Sequence, residues 1–211
     1  VIKDAANDSL KQRAQIEELI AQKVDLIIVS PKEAVPLAQP VSRAYATGIP
    51  IIVVDRRVET KDYTAFVGAD NRKIGKAAGE WIAQKIKSGA LKCDGVCNIV
   101  ELKGLMTSTP AIDRHEGFRA GIADVLKENK AKIIFEADTK WLEPNARKEM
   151  ESALSRFKKI DVVYSHNDPS AHGAWLASKS SGREKDTLFV GIDGLQYEGQ
   201  SYVKNQILDA S

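Results

Sequence analysis

The chain has 211 residues, of which 43% are hydrophobic and 28% are charged, a composition typical of a globular protein with a sizeable core. Lysine and arginine almost balance the acidic residues and leave a formal net charge of +2, which excludes the strongly basic surface typical of nucleic-acid or anionic-membrane binding. No apolar stretch is long enough to span a bilayer, and the first four residues do not begin a signal peptide. An extracytoplasmic origin therefore implies a processed chain.

Along the chain, short apolar runs of β type alternate with amphipathic helices. The predicted strands are 24–30, 49–55, 65–70, 97–103, 132–138, 161–167 and 187–193. The predicted helices are 10–22, 34–46, 73–87, 111–128, 146–157, 170–178 and 195–204. This alternation predicts an α/β fold with parallel, doubly wound sheets.

Nearly every predicted strand closes on a polar side chain. In parallel α/β sheets, ligands bind beyond the carboxyl ends of the strands, so these side chains indicate where the function lies. Asp55 is the clearest case, because it ends an apolar run, and contact with a ligand is favoured over a structural ion pair with Arg56. Asp70 and Asp168 are expected instead to be helix N-caps.

The chemistry available at these strand ends excludes several classes of site. No nucleophile elbow, Gly-x-Gly-x-x-Gly turn or Walker loop is present, and His166 alone does not indicate a catalytic base. Cys93 and Cys97 flank an Asp-Gly turn, which leaves a small disulfide open as an alternative to free thiols and provides too few ligands for a metal site. No cofactor, metal or catalytic residue is predicted. The carboxylate, amide and guanidinium groups that remain are suited to holding the hydroxyls of a sugar, with an aromatic ring such as that of Trp141 covering its C–H face.

Six segments in order resemble the ribose-type (type 1) periplasmic sugar-binding proteins, the substrate-capturing subunits of ABC importers. They are PIIVVDR at 50–56, VGADN at 67–71, VELKG at 100–104, AIDRHEGF at 111–118, YSHND at 164–168 and VGIDG at 190–194. The third and fourth are most similar to the galactofuranose-binding branch. The resemblance implies two Rossmann-like lobes, at 1–69 and 70–211, that close on a sugar about a hinge. It also implies that the first strand of the family and its C-terminal segment are missing here.

Carried over position by position, the resemblance implies a set of ligand-binding residues. In the first lobe these are Ser30, Asp55 and Arg56. In the second lobe they are Leu105, Arg114, Trp141, Asn167 and Asp193.

The function implied is that of a monomeric, periplasmic, non-enzymatic protein that binds galactofuranose or galactose, arabinose or ribose and delivers it to a membrane permease. The same core occurs in two other settings, which stay open as alternatives: the effector domain of lac-repressor-like regulators and the sensor domain of membrane receptors. An enzyme acting on sugars is disfavoured, because no activated acid and base pair is evident.

Overall fold

The computed structural model describes all residues, 1–211, as eight α-helices, seven strands and one turn of 3₁₀ helix at Glu184–Asp186. The strands are β1 Ile27–Val29, β2 Ile51–Val54, β3 Ala65–Val67, β4 Cys97–Lys103, β5 Ala131–Asp138, β6 Val162–Ser165 and β7 Leu188–Val190. The helices are α1 Ser9–Ala21, α2 Ala38–Ala46, α3 Asn71–Lys87, α4 Thr109–Gly121, α5 Ala123–Lys127, α6 Glu143–Arg156, α7 Asp168–Ser180 and α8 Gly199–Lys204. None of the helices is both long enough and apolar enough to span a bilayer.

The chain divides into two compact units. The first comprises residues Val1–Asp70 with Thr107–Ile112, and the second comprises Asn71–Met106 with Asp113–Ser211. The start of α4 thus belongs to the first unit, whereas the lobe limits predicted from the sequence place all of α4 in the second lobe. The lobe limits 1–69 and 70–211 stay a prediction.

The first unit contains a three-stranded parallel sheet in the order β1-β2-β3. Its core lies between this sheet and the helices α1 and α2, and it includes Leu37, Val41, Ile51 and Val53, each at most 1% exposed. β1 forms one edge of the sheet, and Ile28 on it is 65% exposed. A cavity of about 890 Å³ follows this edge and is lined mainly by residues 1–8 and 24–32. Ser30 and Arg56, two of the predicted ligand residues, are also among its lining residues.

The second unit contains a four-stranded parallel sheet in the order β5-β4-β6-β7, which confirms the predicted α/β class with parallel sheets. β4 is a central strand, so its residues are covered on both faces. Two apolar clusters fill the two sides of the sheet. In one of them the rings of Phe118 and Tyr164 stack with their centroids 4.0 Å apart.

Most predicted elements are present with adjusted ends. β4 matches its predicted limits, whereas the strands predicted at 24–30 and 187–193 shrink to three residues each. The single helix predicted at 111–128 is two helices, since it is interrupted at Ile122 between α4 and α5. α1 begins at Ser9, one residue before its predicted start, and the Asp8 side chain caps it by accepting hydrogen bonds from the backbone N–H groups of Leu10 and Lys11.

The two cysteines are paired. Cys93 and Cys97 form a disulfide with their Cα atoms 5.1 Å apart, which selects one of the alternatives that the spacing left open. It closes the turn that leads into β4, the strand that carries the centre of the second sheet.

Helices α3 and α4 approach each other through glycines. A Cβ atom at Gly117 would lie 2.1 Å from the Arg72 carbonyl oxygen, and one at Gly75 would lie 2.2 Å from the Arg114 carbonyl oxygen. Gly79 and Gly121 face the opposite helix backbone in the same way. The glycines of α3 are therefore packing positions, and they let the two backbones touch.

We expect Gly117→Ala to destabilise the protein by about 1–3 kcal/mol, because overlap with the α3 backbone outweighs the roughly 1 kcal/mol that alanine gains in helix propensity. Urea unfolding of the full-length protein measures the difference. Gln84→Ala, at an exposed position of α3, is the control and changes stability by less than about 0.5 kcal/mol. A Gly117→Ala variant as stable as wild type would show that the helices are not in backbone contact.

Candidate functional site

The predicted ligand residues of the second unit lie at the carboxyl edge of its sheet. Leu105 follows β4, Trp141 lies in the loop after β5, Asn167 follows β6 and Asp193 follows β7. Because these strands are parallel, their carboxyl ends share one edge, and α4 brings Arg114 to the same edge.

Arg114 is the centre of this set. Its side chain is nearly buried, and its Nε donates a hydrogen bond to Asn71 Oδ1 at 2.8 Å. One terminal nitrogen donates to the backbone carbonyl of His166, and the other lies 3.1 Å from Asp193 Oδ1. A guanidinium has five N–H donors, so two of them stay available to a ligand after these three contacts. The group is therefore fixed in place before any ligand arrives.

Asp193 presents a carboxylate beside that guanidinium. Its side chain is about one third exposed, at 32%, and its backbone has φ of 117°. The neighbouring turn is tied to α7, because the Gly194 N–H donates to Asp168 Oδ2 at 2.8 Å. Burial raises the pKa of Asp168, whose side chain is fully enclosed.

Asn167 corrects one expectation. The residue that caps α7 is Asn167 and not Asp168, since Asn167 Oδ1 accepts from the Ser170 N–H at 3.2 Å. The prediction failed because Asp168 is the first helical residue, and its carboxylate turns to Gly194 and Ser211 instead. The amide nitrogen of Asn167 donates to the Trp141 carbonyl at 3.1 Å, so this side chain also holds the aromatic loop.

Trp141 lies close to Arg114. The guanidinium carbon is 5.5 Å from the centroid of the indole ring, within the range of a cation–π contact. Lys140 and Trp141 both have positive φ, of 57° and 70°. A flat apolar ring beside a guanidinium and a carboxylate is an arrangement suited to a sugar.

In the first unit, the predicted residues form a separate set. Asp55 follows β2, and its carboxylate lies 3.5 Å from Arg56 Nε while its side chain stays 57% exposed. Arg56 also donates to the Lys32 carbonyl at 3.0 Å, beside the loop that begins at Ser30. The ion pair that competed with ligand contact is thus present, and the exposed carboxylate of Asp55 still has room to accept further hydrogen bonds.

Backbone strain marks three of the predicted site residues. Asp55, Trp141 and Asp193 have φ of 65°, 70° and 117°, a region that side chains other than glycine seldom occupy. Strain of this kind persists where the surrounding structure imposes it. Six other non-glycine residues of the chain also have positive φ, so this feature alone does not define the site. Sequence patterns carry no signal for it.

Beneath the edge of the second sheet lies a buried polar cluster that the sequence analysis did not predict. Glu101 on β4 is fully buried, and its Oε1 contacts His115 Nδ1 at 2.8 Å and His166 Nε2 at 3.1 Å. Arg119 lies 3.3 Å from the other oxygen of Glu101 and 2.6 Å from Glu136. The signal that could have revealed the cluster is a glutamate in the middle of an apolar strand, since a buried charge requires partners.

The electrostatics of this cluster follow from its burial. Burial alone would raise the pKa of Glu101, but the hydrogen bonds with His115 and His166 outweigh it and lower that pKa. Burial lowers the pKa of His166, because the charged imidazolium loses its hydration there. Glu101, His115 and Glu136 also have the donor types of a metal site, but Arg119 and Lys103 already occupy the two carboxylates. We assign them to an ion-pair network.

The family assignment rests on the whole chain. Residues 1–211 match the sequence model described as "Periplasmic binding protein domain". The chain belongs to this family. It is 32% identical over 211 residues to the ribose import binding protein of Bacillus subtilis, an alignment that covers 100% of this chain and 64% of that protein. It is 33% identical over 201 residues to the galactofuranose-binding protein of Escherichia coli, covering 90% of this chain and 60% of that protein.

Solved structures of the family agree in fold. The fructose-binding periplasmic domain of a hybrid two-component system superposes with a TM-score of 0.91 at 44% identity, covering 99% of this chain and 67% of that one. A galactofuranose-binding protein superposes with a TM-score of 0.89 at 28% identity, covering 98% and 69%. The chain thus spans about two thirds of the length of its relatives.

We expect Glu101→Gln to destabilise the protein by roughly 3 kcal/mol at pH 7, because removing one partner of a buried charged cluster leaves the others uncompensated. The pKa of Glu101 in the folded state lies below its ordinary value of 4.5, so its contribution is present above that pH and is lost as the pH falls further. The gap between variant and wild type should therefore narrow below about pH 4.5. Thermal unfolding from pH 7 to pH 3 measures it.

The control for that series is Glu59→Gln, at an exposed position of the first unit, which should leave the stability profile within about 0.5 kcal/mol of wild type. A constant gap across the pH range would contradict the assignment of Glu101 as an ionised, stabilising group.

Proposed function

We propose that this chain binds a monosaccharide of the galactofuranose or galactose, arabinose or ribose type and captures it by hinge closure for an ABC importer. The observation that supports it most is the guanidinium of Arg114, which is held by three acceptors and keeps two donors for a ligand. The names of the relatives, among them ribose and galactofuranose binders, agree with this choice of ligand class.

The chemistry of the set suits a sugar for two reasons. Guanidinium and carboxylate groups each engage two neighbouring hydroxyls, and Arg114 with Asp193 supplies one of each within 3.1 Å. The indole of Trp141 offers an apolar face for the C–H side of a sugar ring. Asp55 and Arg56 supply a second carboxylate and guanidinium pair. In this proposal Ser30, Leu105 and Asn167 complete the contacts, with Asn167 acting partly through its hydrogen bond to the Trp141 carbonyl.

We propose that no chemical step follows binding. Each histidine of the second unit is hydrogen-bonded to a carboxylate: His115 and His166 share Glu101, and His172 contacts Glu143 at 2.8 Å. None of these imidazoles adjoins a serine or cysteine nucleophile in the way that covalent catalysis requires. The proposed role is therefore recognition, with a periplasmic location, a monomeric state and delivery to a membrane permease.

A second candidate is a sugar-sensing domain of a membrane receptor. The fructose-binding domain of a two-component system, at 44% identity, favours it. Cell fractionation with an antibody to this chain separates the two candidates. Release of the native protein by osmotic shock supports the importer subunit, whereas retention in the membrane fraction supports the sensor.

The binding proposal predicts that titration calorimetry of the full-length protein detects saturable binding of at least one of D-ribose, D-galactose, L-arabinose and D-fructose. Asp193→Asn and Asp55→Asn should each weaken that binding at least tenfold, because a hydrogen bond from a sugar hydroxyl to a charged carboxylate contributes about 1.5–3 kcal/mol.

The matched control is Asp25→Asn, an exposed aspartate of the first unit outside the predicted site, which should bind as wild type does. Absence of binding to every sugar, or unchanged affinity in both site variants, would refute the proposal.

A further inference from the structure

Gly104 lies against the indole of Trp141. It follows β4 directly and is buried. A Cβ atom added at Gly104 would lie 2.3 Å from Trp141 Cη2 and 2.4 Å from both Cζ2 and Cζ3. These are far shorter than the roughly 3.5–4 Å of a carbon–carbon contact, so any side chain at this position displaces the indole or the strand end.

The three distances also show how the ring is oriented. They join the Cβ position to three consecutive atoms of the six-membered ring, and they are nearly equal. A Cβ in the plane of the ring, beyond its edge, would be much closer to the middle atom than to the outer two. The Cβ position is therefore over the ring face, and the indole lies flat on the backbone at Gly104.

The Trp141 backbone cannot easily retreat from such a contact. Its carbonyl accepts from Asn167 at 3.1 Å, and φ at Trp141 is 70°. Just before it, the Thr139 N–H and hydroxyl both donate to the Lys103 carbonyl at 2.8 Å, and that hydroxyl lies 2.9 Å from Ser170 Oγ. Because the loop is held at these points, a larger residue at 104 would move the ring itself by roughly 1 Å.

We propose that Gly104 is a specificity-determining position of the sugar site: its missing side chain sets how far the Trp141 ring projects beside Arg114, and so which sugar ring fits. The guanidinium carbon of Arg114 is only 5.5 Å from the ring centroid, so a shift of about 1 Å alters both the apolar platform and the space above it. This inference rests on the proposed sugar-binding function.

The test is a double-mutant cycle between Gly104→Ala and Trp141→Phe in the full-length protein, with calorimetric affinities for D-ribose, D-galactose, L-arabinose and D-fructose. Phenylalanine lacks the outer ring atoms that the alanine Cβ would meet. Gly104→Ala should weaken the preferred sugar at least tenfold with Trp141 present and change the order of preference among the four. In the Trp141→Phe background, the same substitution should cost less than about threefold.

Fluorescence supplies a readout independent of sugar. With Trp81 and Trp175 replaced by Phe, Gly104→Ala should shift the emission of Trp141, because the indole leaves its backbone contact. Gly121→Ala is the matched control: its Cβ would lie 2.4 Å from the Lys76 carbonyl oxygen, so it strains a helix contact of the same unit that does not involve the Trp141 loop. It should lower stability and leave both the emission and the order of preference unchanged.

Three results would overturn the inference. The first is that Gly104→Ala binds all four sugars with wild-type affinity. The second is that Gly104→Ala weakens sugar binding equally with Trp141 and with Phe at position 141. The third is that the Gly104→Ala/Trp141→Phe variant fails to fold or binds more than threefold weaker than Trp141→Phe. If Gly104→Ala alone does not fold, that double variant decides the matter. Wild-type protein that binds none of the four sugars would refute the proposed function itself, and the inference with it.

Discussion

The buried guanidinium of Arg114 is the group on which the rest of the second unit's site depends. Its position depends on a glycine. Because Gly75 has no side chain, α3 can pack directly against the Arg114 carbonyl of α4, and Asn71 Oδ1 lies 2.8 Å from Arg114 Nε. The carbonyl of His166 and the carboxylate of Asp193 complete the shell. A charge this deeply placed is tolerated because its three polar partners are all acceptors, so the ligand meets a group already oriented.

The charges below the site complement this arrangement. Glu101 is a buried, ionised residue of β4, paired with Arg119 and hydrogen-bonded to two histidines. Because His166 joins Glu101 through its ring and Arg114 through its carbonyl, the same residue links the buried network to the binding edge. Neighbouring groups at the same sheet edge thus have different roles: some belong to the buried charge network and others hold the guanidinium of Arg114.

Much of the fold could be predicted from the chain, since apolar runs and amphipathic helices place β4 and α3 almost to the residue. The positions of Asp55 and Asp193 near the carboxyl ends of strands could also be predicted, because a polar residue after an apolar run is a local feature of the sequence. Contacts distant in sequence were not accessible: nothing local shows that Glu101 contacts His166 or that Gly104 lies against Trp141. The positive φ of Trp141 is likewise imposed by tertiary contacts.

The most direct test of the account is the NMR signal of the Arg114 Nε–H group in ¹⁵N-arginine-labelled full-length protein, assigned by its absence in Arg114→Lys. If the guanidinium is oriented before binding, this signal is sharp and protected from exchange in the ligand-free protein, and it shifts when a bound monosaccharide is added. A signal that is broad and exchanges freely without sugar, or one that saturating sugar leaves unmoved, would contradict a preformed sugar site built around Arg114.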